Sequence, residues 1–460
     1  MIDLKSLKPQ LDNKPIAVVG LGKSGLNTFD SCKAADIATV LWDDNPKAVE
    51  EAAKQGAVTE NLGTADFSRF SLLCLAPGIP LTHPVPHPAV LKAQEADCEI
   101  VGDIELFHRA HPAMKTIGIT GTNGKSTTTA LTGHILKTAG VLSAVGGNIG
   151  EASLSLPQLS DQATYVFELS SYQLDLCPTY APDIAVLINL SPDHLDRHGG
   201  MDGYIAAKER IFRGAGTAII GIDDEWSRGV HGRLQKSGAR DIIPVSCATK
   251  LSPGVSVTGQ GILLHDGREI ADLTACKGLP GRHNWQNAAM AYAACVSSGV
   301  AVARIVGGFK TFPGLAHRQN IVAEYNGVTY INDSKATNDQ AAATALRTYN
   351  PVYWIAGGKA KDGGYSDCEQ YTGHIRHAFL IGAAQEKMAA WLTGQKVPFT
   401  LSGTLDKALA AAHVMAQREK LKNAVVLLSP ACASFDQFKN FEQRGEIFTD
   451  LVRKITPCKK

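Results

Sequence analysis

Residues 117–129 have the types and spacing best suited to bind a nucleotide; they read Ile-Gly-Ile-Thr-Gly-Thr-Asn-Gly-Lys-Ser-Thr-Thr-Thr. A short apolar strand leads into a glycine-rich turn and then a helix, so backbone N–H groups can converge on a phosphate at the helix N-terminus. Lys125 would reach the β- and γ-phosphates, and the Ser126 hydroxyl would hold Mg²⁺. The strict pattern asks for glycine at Ile119, whereas the glycine here is Gly118, so the alternative is a tight turn with an incidental lysine. The stretch predicts a nucleoside triphosphate site.

Polar side chains also follow two other apolar runs. Glu168 ends a strand predicted over residues 165–169, and a carboxylate in an apolar strand is costly unless it is paired or bound to a metal. His194 follows a strand predicted over residues 184–190. Because the carboxyl ends of parallel strands share one edge of a sheet, the phosphate loop, Glu168 and His194 should face one cleft. The alternatives are a solvent-exposed glutamate and a structural histidine, and Lys208 on the next helix would by itself be an exposed residue.

The first hundred residues carry a second candidate site. A strand at 16–19 enters Gly20-Leu-Gly22-Lys-Ser-Gly25, and a second strand at 37–42 ends in Asp43-Asp44, about 20 residues on as a ribose contact requires. A third strand at 72–75 runs into the turn at 76–80, at the same sheet edge. The pattern predicts a nucleotide or sugar-nucleotide diphosphate site; the alternative is a turn whose glycines serve packing alone.

Composition excludes several functional classes. The chain has 460 residues, 44% of them hydrophobic, and a net charge of +1 from 45 basic and 44 acidic residues, which indicates neither nucleic-acid binding nor a membrane surface. No run approaches the roughly 18 apolar residues of a membrane span, and the N-terminus does not resemble a secretory signal. The ten cysteines form no Cys-x-x-Cys pair. We therefore expect a cytoplasmic protein with reduced, mostly buried thiols, and the absence of a heptad pattern favours a monomer.

The order of elements predicts an α/β protein of three domains. Residues 1–102 should form a Rossmann-like domain, residues 103–313 a central P-loop ATPase-like domain with a mostly parallel sheet, and residues 314–460 a second Rossmann-like domain. The third begins with a hairpin at Asn326-Gly327, and strands at 352–356, 378–381 and 424–428 then alternate with alanine-rich helices.

Six motifs together resemble those of the Mur ligases, and they extend over all three predicted domains. They are Gly-Thr-Asn-Gly-Lys-Ser-Thr at 121–127, Glu-Leu-Ser-Ser-Tyr-Gln-Leu at 168–174, Asp-His-Leu-Asp-Arg at 193–197, Gly-Arg-His-Asn at 281–284, Asn-Asp-Ser-Lys-Ala-Thr-Asn at 332–338 and Ser-Pro-Ala-Cys-Ala-Ser-Phe-Asp-Gln-Phe at 429–438. The last two resemble the branch of the family that adds D-glutamate.

This resemblance implies an ATP-dependent ligase of cytoplasmic peptidoglycan precursor synthesis. ATP would phosphorylate the carboxylate of UDP-N-acetylmuramoyl-L-alanine, and the amine of D-glutamate would attack the acyl phosphate to give an amide. Metals and cations around one point are expected, because charge moves between two anions.

The resemblance also assigns residues to each ligand. One Mg²⁺ would be held by Ser126 and Glu168, and a second by His194 and a carbamylated Lys208, with Lys125 on the phosphates. The ATP site would comprise Gly121, Thr122, Asn123, Gly124, Lys125, Ser126, Thr127, Asn284, Asn287, Arg318 and Asp333. The UDP-sugar site would comprise Gly22, Lys23, Ser24, Asp44, Asn45, Pro77, Gly78 and Asn148. The D-glutamate site would comprise Lys335, Thr337, Lys361, Ser434 and Phe441.

Three other functions share some of these features. A folylpolyglutamate synthase-like ligase shares the phosphate loop but should lack the separate domain that carries Gly20 to Asp43. A nicotinamide-dependent oxidoreductase would use the N-terminal glycine pattern alone. A P-loop switch or motor would hydrolyse ATP without a small-molecule acceptor.

Overall fold

The computed structural model describes residues 1–360 and 364–457, apart from the side chain of residue 283. The chain divides into two compact units. The first comprises Met1–Cys276 and Arg282–Phe312, and the second comprises Lys277–Gly281 and Pro313–Lys460. The first unit contains two sheets and the second contains one.

The N-terminal sheet is five-stranded and parallel, in the order β3-β2-β1-β4-β5. Its strands are β1 (Ile16–Val19), β2 (Thr39–Trp42), β3 (Val58–Thr59), β4 (Leu72–Leu75) and β5 (Glu99–Val101). The helices between them are α1 (Lys23–Ala34), α2 (Pro46–Lys54) and α3 (Pro88–Glu95), and α4 (Asp103–Ala110) follows. Every residue of β1 and β4 is buried, as expected for central strands covered on both faces.

Glycine is required where β1 turns into α1. A Cβ on Gly25 would overlap the carbonyl oxygen of Gly20, and Gly20 itself has φ +93° and lies against Ala76. The helix can therefore begin directly against the turn, as the glycine pattern predicts.

The second sheet has nine strands in the order β14-β13-β12-β11-β10-β9-β6-β8-β7, parallel from β7 to β12 with antiparallel β13 and β14 at one edge. The strands are β6 (Lys115–Thr120), β7 (Ser143–Gly147), β8 (Thr164–Glu168), β9 (Ile184–Leu187), β10 (Thr217–Gly221), β11 (Asp241–Ser246), β12 (Val255–Val257), β13 (Ile262–His265) and β14 (Arg268–Asp272). Its helices are α5 (Lys125–Thr138), α6 (Ser171–Asp175), α7 (Leu195–His198), α8 (Met201–Glu209), α9 (Glu225–Ser237), α10 (His283–Ser297) and α11 (Val302–Thr311).

The third sheet has six strands in the order β15-β16-β20-β17-β18-β19, and only the β15–β16 pair is antiparallel. The strands are β15 (Asn320–Tyr325), β16 (Val328–Asn332), β17 (Val352–Gly357), β18 (Ile375–Ile381), β19 (Phe399–Gly403) and β20 (Val425–Leu428). The helices are α12 (Asp339–Thr348), α13 (Gln385–Gly394), α14 (Leu405–Glu419) and α15 (Phe441–Ile455). The predicted hairpin is confirmed: Asn326 and Gly327 have φ of 49° and 80°.

The α/β class and the mostly parallel sheets are confirmed, whereas the ends of some strands differ from the prediction. The strand predicted over residues 184–190 ends at Leu187, although Ile188 and Leu190 beyond it are also buried. The domain boundaries after residues 102 and 313 stay predictions. Within the described residues no helix is long and apolar enough to span a membrane. The nine cysteines described are free thiols, eight of them buried.

Candidate active site

The phosphate loop connects β6 to α5 with the backbone geometry that its glycines predict. Gly121 has φ +157° and Gly124 has φ +84°. Gly124 is left-handed and leads directly into the first helical residue, Lys125. The Lys125 ammonium donates to the carbonyl oxygens of Gly121 (2.8 Å) and Thr122 (2.7 Å). Ser126 and Thr127 lie in the first turn of α5. The loop thus presents a cation and a helix N-terminus at one point, which suits phosphate.

The neighbouring strand holds this loop in place through a residue that the sequence analysis missed. Asn189 follows β9, and its Oδ1 accepts from the backbone N–H of Asn123 (2.9 Å) while its carbonyl oxygen accepts from the N–H of Thr122 (2.9 Å). Its side-chain amide also donates to Gln286 Oε1 (3.0 Å). The only sequence signal was an amide residue directly after an apolar strand. Asn189 therefore fixes the loop that faces the phosphates.

Glu168 is 2% exposed at the end of β8. Its Oε1 accepts from Asn148 Nδ2 at 2.8 Å, whereas its Oε2 has no hydrogen-bond partner in the described part of the chain. A buried carboxylate oxygen without a partner costs free energy unless a cation or a donor meets it. The donor chemistry fits Mg²⁺, which prefers carboxylate and hydroxyl oxygens. Asn148, predicted to contact the UDP-sugar, here orients Glu168.

Lys208 is 2% exposed, so the exposed position that its helix alone predicts is wrong. Its Nζ donates to Gly121 O (2.9 Å) and Thr120 Oγ1 (3.2 Å) and lies 4.8 Å from the centre of the Tyr204 ring. Burial first, and the nearby charge of Lys125 second, hold the pKa of Lys208 well below its ordinary value. The structure therefore brings Lys208 to the phosphate loop, as the family resemblance implies and its own helix pattern does not.

His194 precedes α7 with φ +52° and a side chain that is 51% exposed. Its Nε2 lies 3.5 Å from Asp193 Oδ2, and its ring centre lies 5.1 Å from that of Tyr172. Within the described residues, no three His, Cys, Asp or Glu side chains converge as a metal site.

Asn284 and Asn287 lie one turn apart on α10, and both are buried. Asn287 Nδ2 donates to Asn284 Oδ1 at 3.0 Å, and a Cβ on Gly124 would overlap Asn287 Oδ1. Thr128 of α5 also donates to Asn287 at 3.4 Å. This pair therefore packs against the start of the phosphate-loop helix.

At the N-terminal glycine turn, Asp43 contacts the loop backbone. Asp43 Oδ2 accepts from the N–H of Leu21 (2.6 Å) and its Oδ1 from the N–H of Asn45 (2.8 Å). Asp44 instead lies 3.2 Å from Nε2 of His87, a contact that the sequence analysis missed. Asn45 caps α2, because its Oδ1 accepts from the N–H of Lys47 (3.1 Å).

The remaining predicted UDP-sugar residues surround the same sheet edge. Gly22 caps α1, and Ser24 lies in its first turn, where its carbonyl accepts from Thr28 (3.0 Å). Lys23 Nζ donates to Gly150 O and lies 3.6 Å from Glu151. Pro77 and Gly78 form the turn after β4, and Gly78 O accepts from Arg197 at 3.2 Å. Lys23 and Arg197 therefore join this edge to the loops that follow β7 and β9.

In the second unit, the described members of the predicted sites lie just before β15, on the loops after β16 and β20, and at the start of α15. Asp333 is buried: it accepts from Ser429 Oγ (2.7 Å) and from Gln319 N–H (3.1 Å), and burial raises its pKa to about 7. Arg318 and Lys335 both interact with other groups of the protein. The Lys335 ammonium lies 3.9 Å from the centre of the Phe441 ring.

Two further members of the predicted D-glutamate set are described. Thr337 donates its N–H to Lys335 O (2.8 Å), and Ser434 is 2% exposed with its carbonyl accepting from Phe438 N–H (2.9 Å). Lys361, also predicted for this site, lies outside the described residues.

We predict that Asn189→Ala weakens ATP binding more than Gln286→Ala, because only the first removes the acceptor that holds Asn123 N–H. The dissociation constant for ATP, measured by calorimetry, should rise about 3- to 10-fold for Asn189→Ala, the usual effect of one hydrogen bond, and at most about twofold for Gln286→Ala. Equal effects of the two substitutions would contradict this role of Asn189.

This chain is similar to known proteins in sequence. The Mur ligase middle domain matches residues 119–295, the segment that contains the phosphate loop, Glu168, His194 and Lys208. A UDP-N-acetylmuramoylalanine–D-glutamate ligase of Caulobacter vibrioides (strain NA1000 / CB15N) is 48% identical over 459 residues, covering 97% of each chain. One of Paramagnetospirillum magneticum is 47% identical, again over 97% of each chain.

The fold is likewise similar to a solved structure. The UDP-N-acetylmuramate-alanine ligase of Thermotoga maritima has a TM-score of 0.59 and 16% identity, covering 96% of this chain and 100% of that one. That identity supports the fold alone, whereas the identity to the two bacterial relatives extends over nearly the whole sequence. The chain therefore belongs to the Mur ligase family, and within it to the family of its relatives named UDP-N-acetylmuramoylalanine–D-glutamate ligase.

Proposed function

We propose that this protein joins D-glutamate to UDP-N-acetylmuramoyl-L-alanine at the expense of ATP, in the synthesis of peptidoglycan precursors. The observation that carries the proposal is the convergence of Lys125, Lys208 and the unpartnered oxygen of Glu168 at the carboxyl ends of neighbouring parallel strands. Relatives that carry this reaction in their names align with nearly the entire chain. No observation favours the oxidoreductase or switch alternatives.

The chemistry needs two displacements. An oxygen of the substrate carboxylate attacks the γ-phosphorus of ATP, forming an acyl phosphate and releasing ADP. The amine of D-glutamate then attacks the acyl carbon, phosphate leaves with that oxygen, and the amine loses a proton as the amide forms. In the first step Lys125 and the N–H groups of the phosphate loop bind and orient the transferring phosphoryl group.

We propose two Mg²⁺ sites, the first from Ser126 and Glu168 and the second from His194 and Lys208. When bound, Mg²⁺ neutralises charge on the phosphate oxygens. Lys208 must lose its positive charge to act as a ligand, and its lowered pKa favours the neutral amine, which would add CO₂ and release a proton to become a carbamate. Asn148 keeps Glu168 oriented through its 2.8 Å hydrogen bond.

We assign the UDP-sugar and ATP to the residues that the sequence predicts for them. The UDP-sugar would be held by the predicted set, which comprises Gly22, Lys23, Ser24, Asp44, Asn45, Pro77, Gly78 and Asn148. Asp43 would support this site by fixing the loop backbone. Asn284, Asn287, Arg318 and Asp333 would contact ATP.

For D-glutamate we propose Lys335, Thr337, Ser434 and Phe441, together with Lys361, because ammonium and hydroxyl donors suit two carboxylates. We also propose that residues 1–102, 103–313 and 314–460 form three domains. We propose that the protein acts in the cytoplasm as a monomer.

The function is tested by measuring phosphate release while each component is omitted in turn. Release should require ATP, Mg²⁺, UDP-N-acetylmuramoyl-L-alanine and D-glutamate together. D-glutamine should fail to replace D-glutamate because it leaves the donors for one carboxylate unpaired, and L-glutamate should fail because its opposite configuration cannot place both carboxylates and the amine at once. Phosphate release without any amino acid would favour a P-loop switch, and equal turnover of D-glutamine would contradict the proposed pocket.

Lys125→Ala should lower turnover by about two orders of magnitude or more, because it removes a positive charge that stabilises the transferring phosphoryl group. Lys137→Ala, at the exposed end of the same helix, is the matched control and should leave the rate unchanged. Circular dichroism would establish that both variants are folded. A near-normal rate for Lys125→Ala would refute the ATP site.

Lys208→Ala should be nearly inactive, and acetate should restore part of the activity by supplying the oxygens of the missing carbamate. Acetate should leave wild type and Lys236→Ala, an exposed lysine of α9, unaffected. Lys208→Arg keeps the positive charge but cannot form the carbamate, so full activity of that variant would disprove carbamylation.

A further inference from the structure

Arg444 lies fully buried in the first turn of α15, beneath the loops of the proposed amino-acid site. Its Nε donates to Ser334 Oγ (2.9 Å), one terminal nitrogen donates to Ser334 O (2.8 Å), and the other donates to Cys432 O (3.2 Å). The planar guanidinium therefore spans two loops that are nearly a hundred residues apart in sequence.

These acceptors are hydroxyl and carbonyl oxygens rather than carboxylates. Burial lowers the pKa of Arg444 to about 10, so the group stays charged at neutral pH. Burying a charged guanidinium on neutral acceptors is costly, and a hydrophobic side chain of similar size would fill the same space more cheaply. The geometry that Arg444 imposes on the two loops is therefore the feature that distinguishes it from an apolar residue.

Four chain segments are tied together around this side chain. Ser334, which precedes Lys335, also donates its hydroxyl to Phe441 O (2.8 Å), and Cys432 lies two residues before Ser434. Backbone hydrogen bonds between Lys359 and Ala433 (2.8 and 3.0 Å) add the loop after β17. Each of the described members of the proposed D-glutamate set is thus on, or next to, a segment that Arg444 holds directly or through one hydrogen bond.

Asp333, which is proposed for ATP in the same unit, is held by other contacts. Asp333 is fixed by Ser429 Oγ and the N–H of Gln319 rather than by Arg444. Loss of Arg444 should therefore disturb the amino-acid donors more than the nucleotide contacts.

We propose that Arg444 is a positioning residue for the amino-acid site, where it sets the spacing between the loop of Lys335 and Thr337 and the loop of Ser434 so that their donors match the two carboxylates of D-glutamate. This inference rests on the proposed function. It makes Arg444 a determinant of amino-acid affinity although the side chain is too buried to touch the substrate.

The test compares Arg444→Met, Arg444→Lys and Arg453→Met in the full chain, with KM measured separately for D-glutamate, ATP and the UDP-sugar. Arg453 lies on the same helix and is exposed, so its variant is the matched control. For Arg444→Met the KM for D-glutamate should rise about 10- to 100-fold, the range expected from lost charge-assisted hydrogen bonds. The other two KM values should stay within about twofold. Arg444→Lys should show a smaller rise in the KM for D-glutamate, because a lysine ammonium cannot span both loops as the planar guanidinium does.

Three results would overturn the inference. The first is an unchanged KM for D-glutamate in a folded Arg444→Lys variant. This variant also provides the test if Arg444→Met does not fold. The second is an equal rise in all three KM values, and the third is a fall in kcat alone; both indicate general structural damage. A wild-type chain that fails to ligate D-glutamate would instead overturn the proposed function, and the inference with it, so the two failures are distinguishable.

Discussion

The parallel pairing of β6 with β8 and β9 is the constraint on which the active-site geometry depends. Ile119 pairs with Glu168 on one side and with Val186 on the other, so the residues that follow these strands must lie side by side. This register brings the phosphate loop, Glu168 and Asn189 to one edge, although each comes from a different part of the sequence. Burying the Glu168 carboxylate there costs several kcal/mol unless a partner offsets it. The strand register therefore places this carboxylate where the proposed Mg²⁺ would offset that cost.

One structural device recurs at all three sheets. A polar side chain one or two residues after a strand accepts the backbone N–H of a neighbouring loop: Asp43 from Leu21, Asn189 from Asn123, and Asp333 from Gln319. In each case the loop so held carries, or lies next to, residues proposed for a ligand. Such hydrogen bonds fix loop backbones without occupying the ligand site, which is how rigid sheets position otherwise mobile loops.

Local chemistry explains what the sequence could predict. The positive φ of Gly124 and the Asn326-Gly327 hairpin follow from what neighbouring residues sterically permit, and the α/β class follows from periodicity. The sequence failed to predict features that depend on partners distant in the chain. The helix pattern around Lys208 gives no sign that its side chain is buried against Thr120 and Gly121. Arg444 was missed because both of its acceptor residues lie on other loops.

The central claim is that the phosphate loop delivers the γ-phosphoryl group to a carboxylate before the amide forms. It is tested most directly with UDP-N-acetylmuramoyl-L-alanine whose carboxylate oxygens are labelled with oxygen-18. Because the oxygen that attacks phosphorus leaves with the phosphate, mass spectrometry should find one labelled oxygen in each phosphate released during D-glutamate addition. Amide formation that releases unlabelled phosphate would contradict the account.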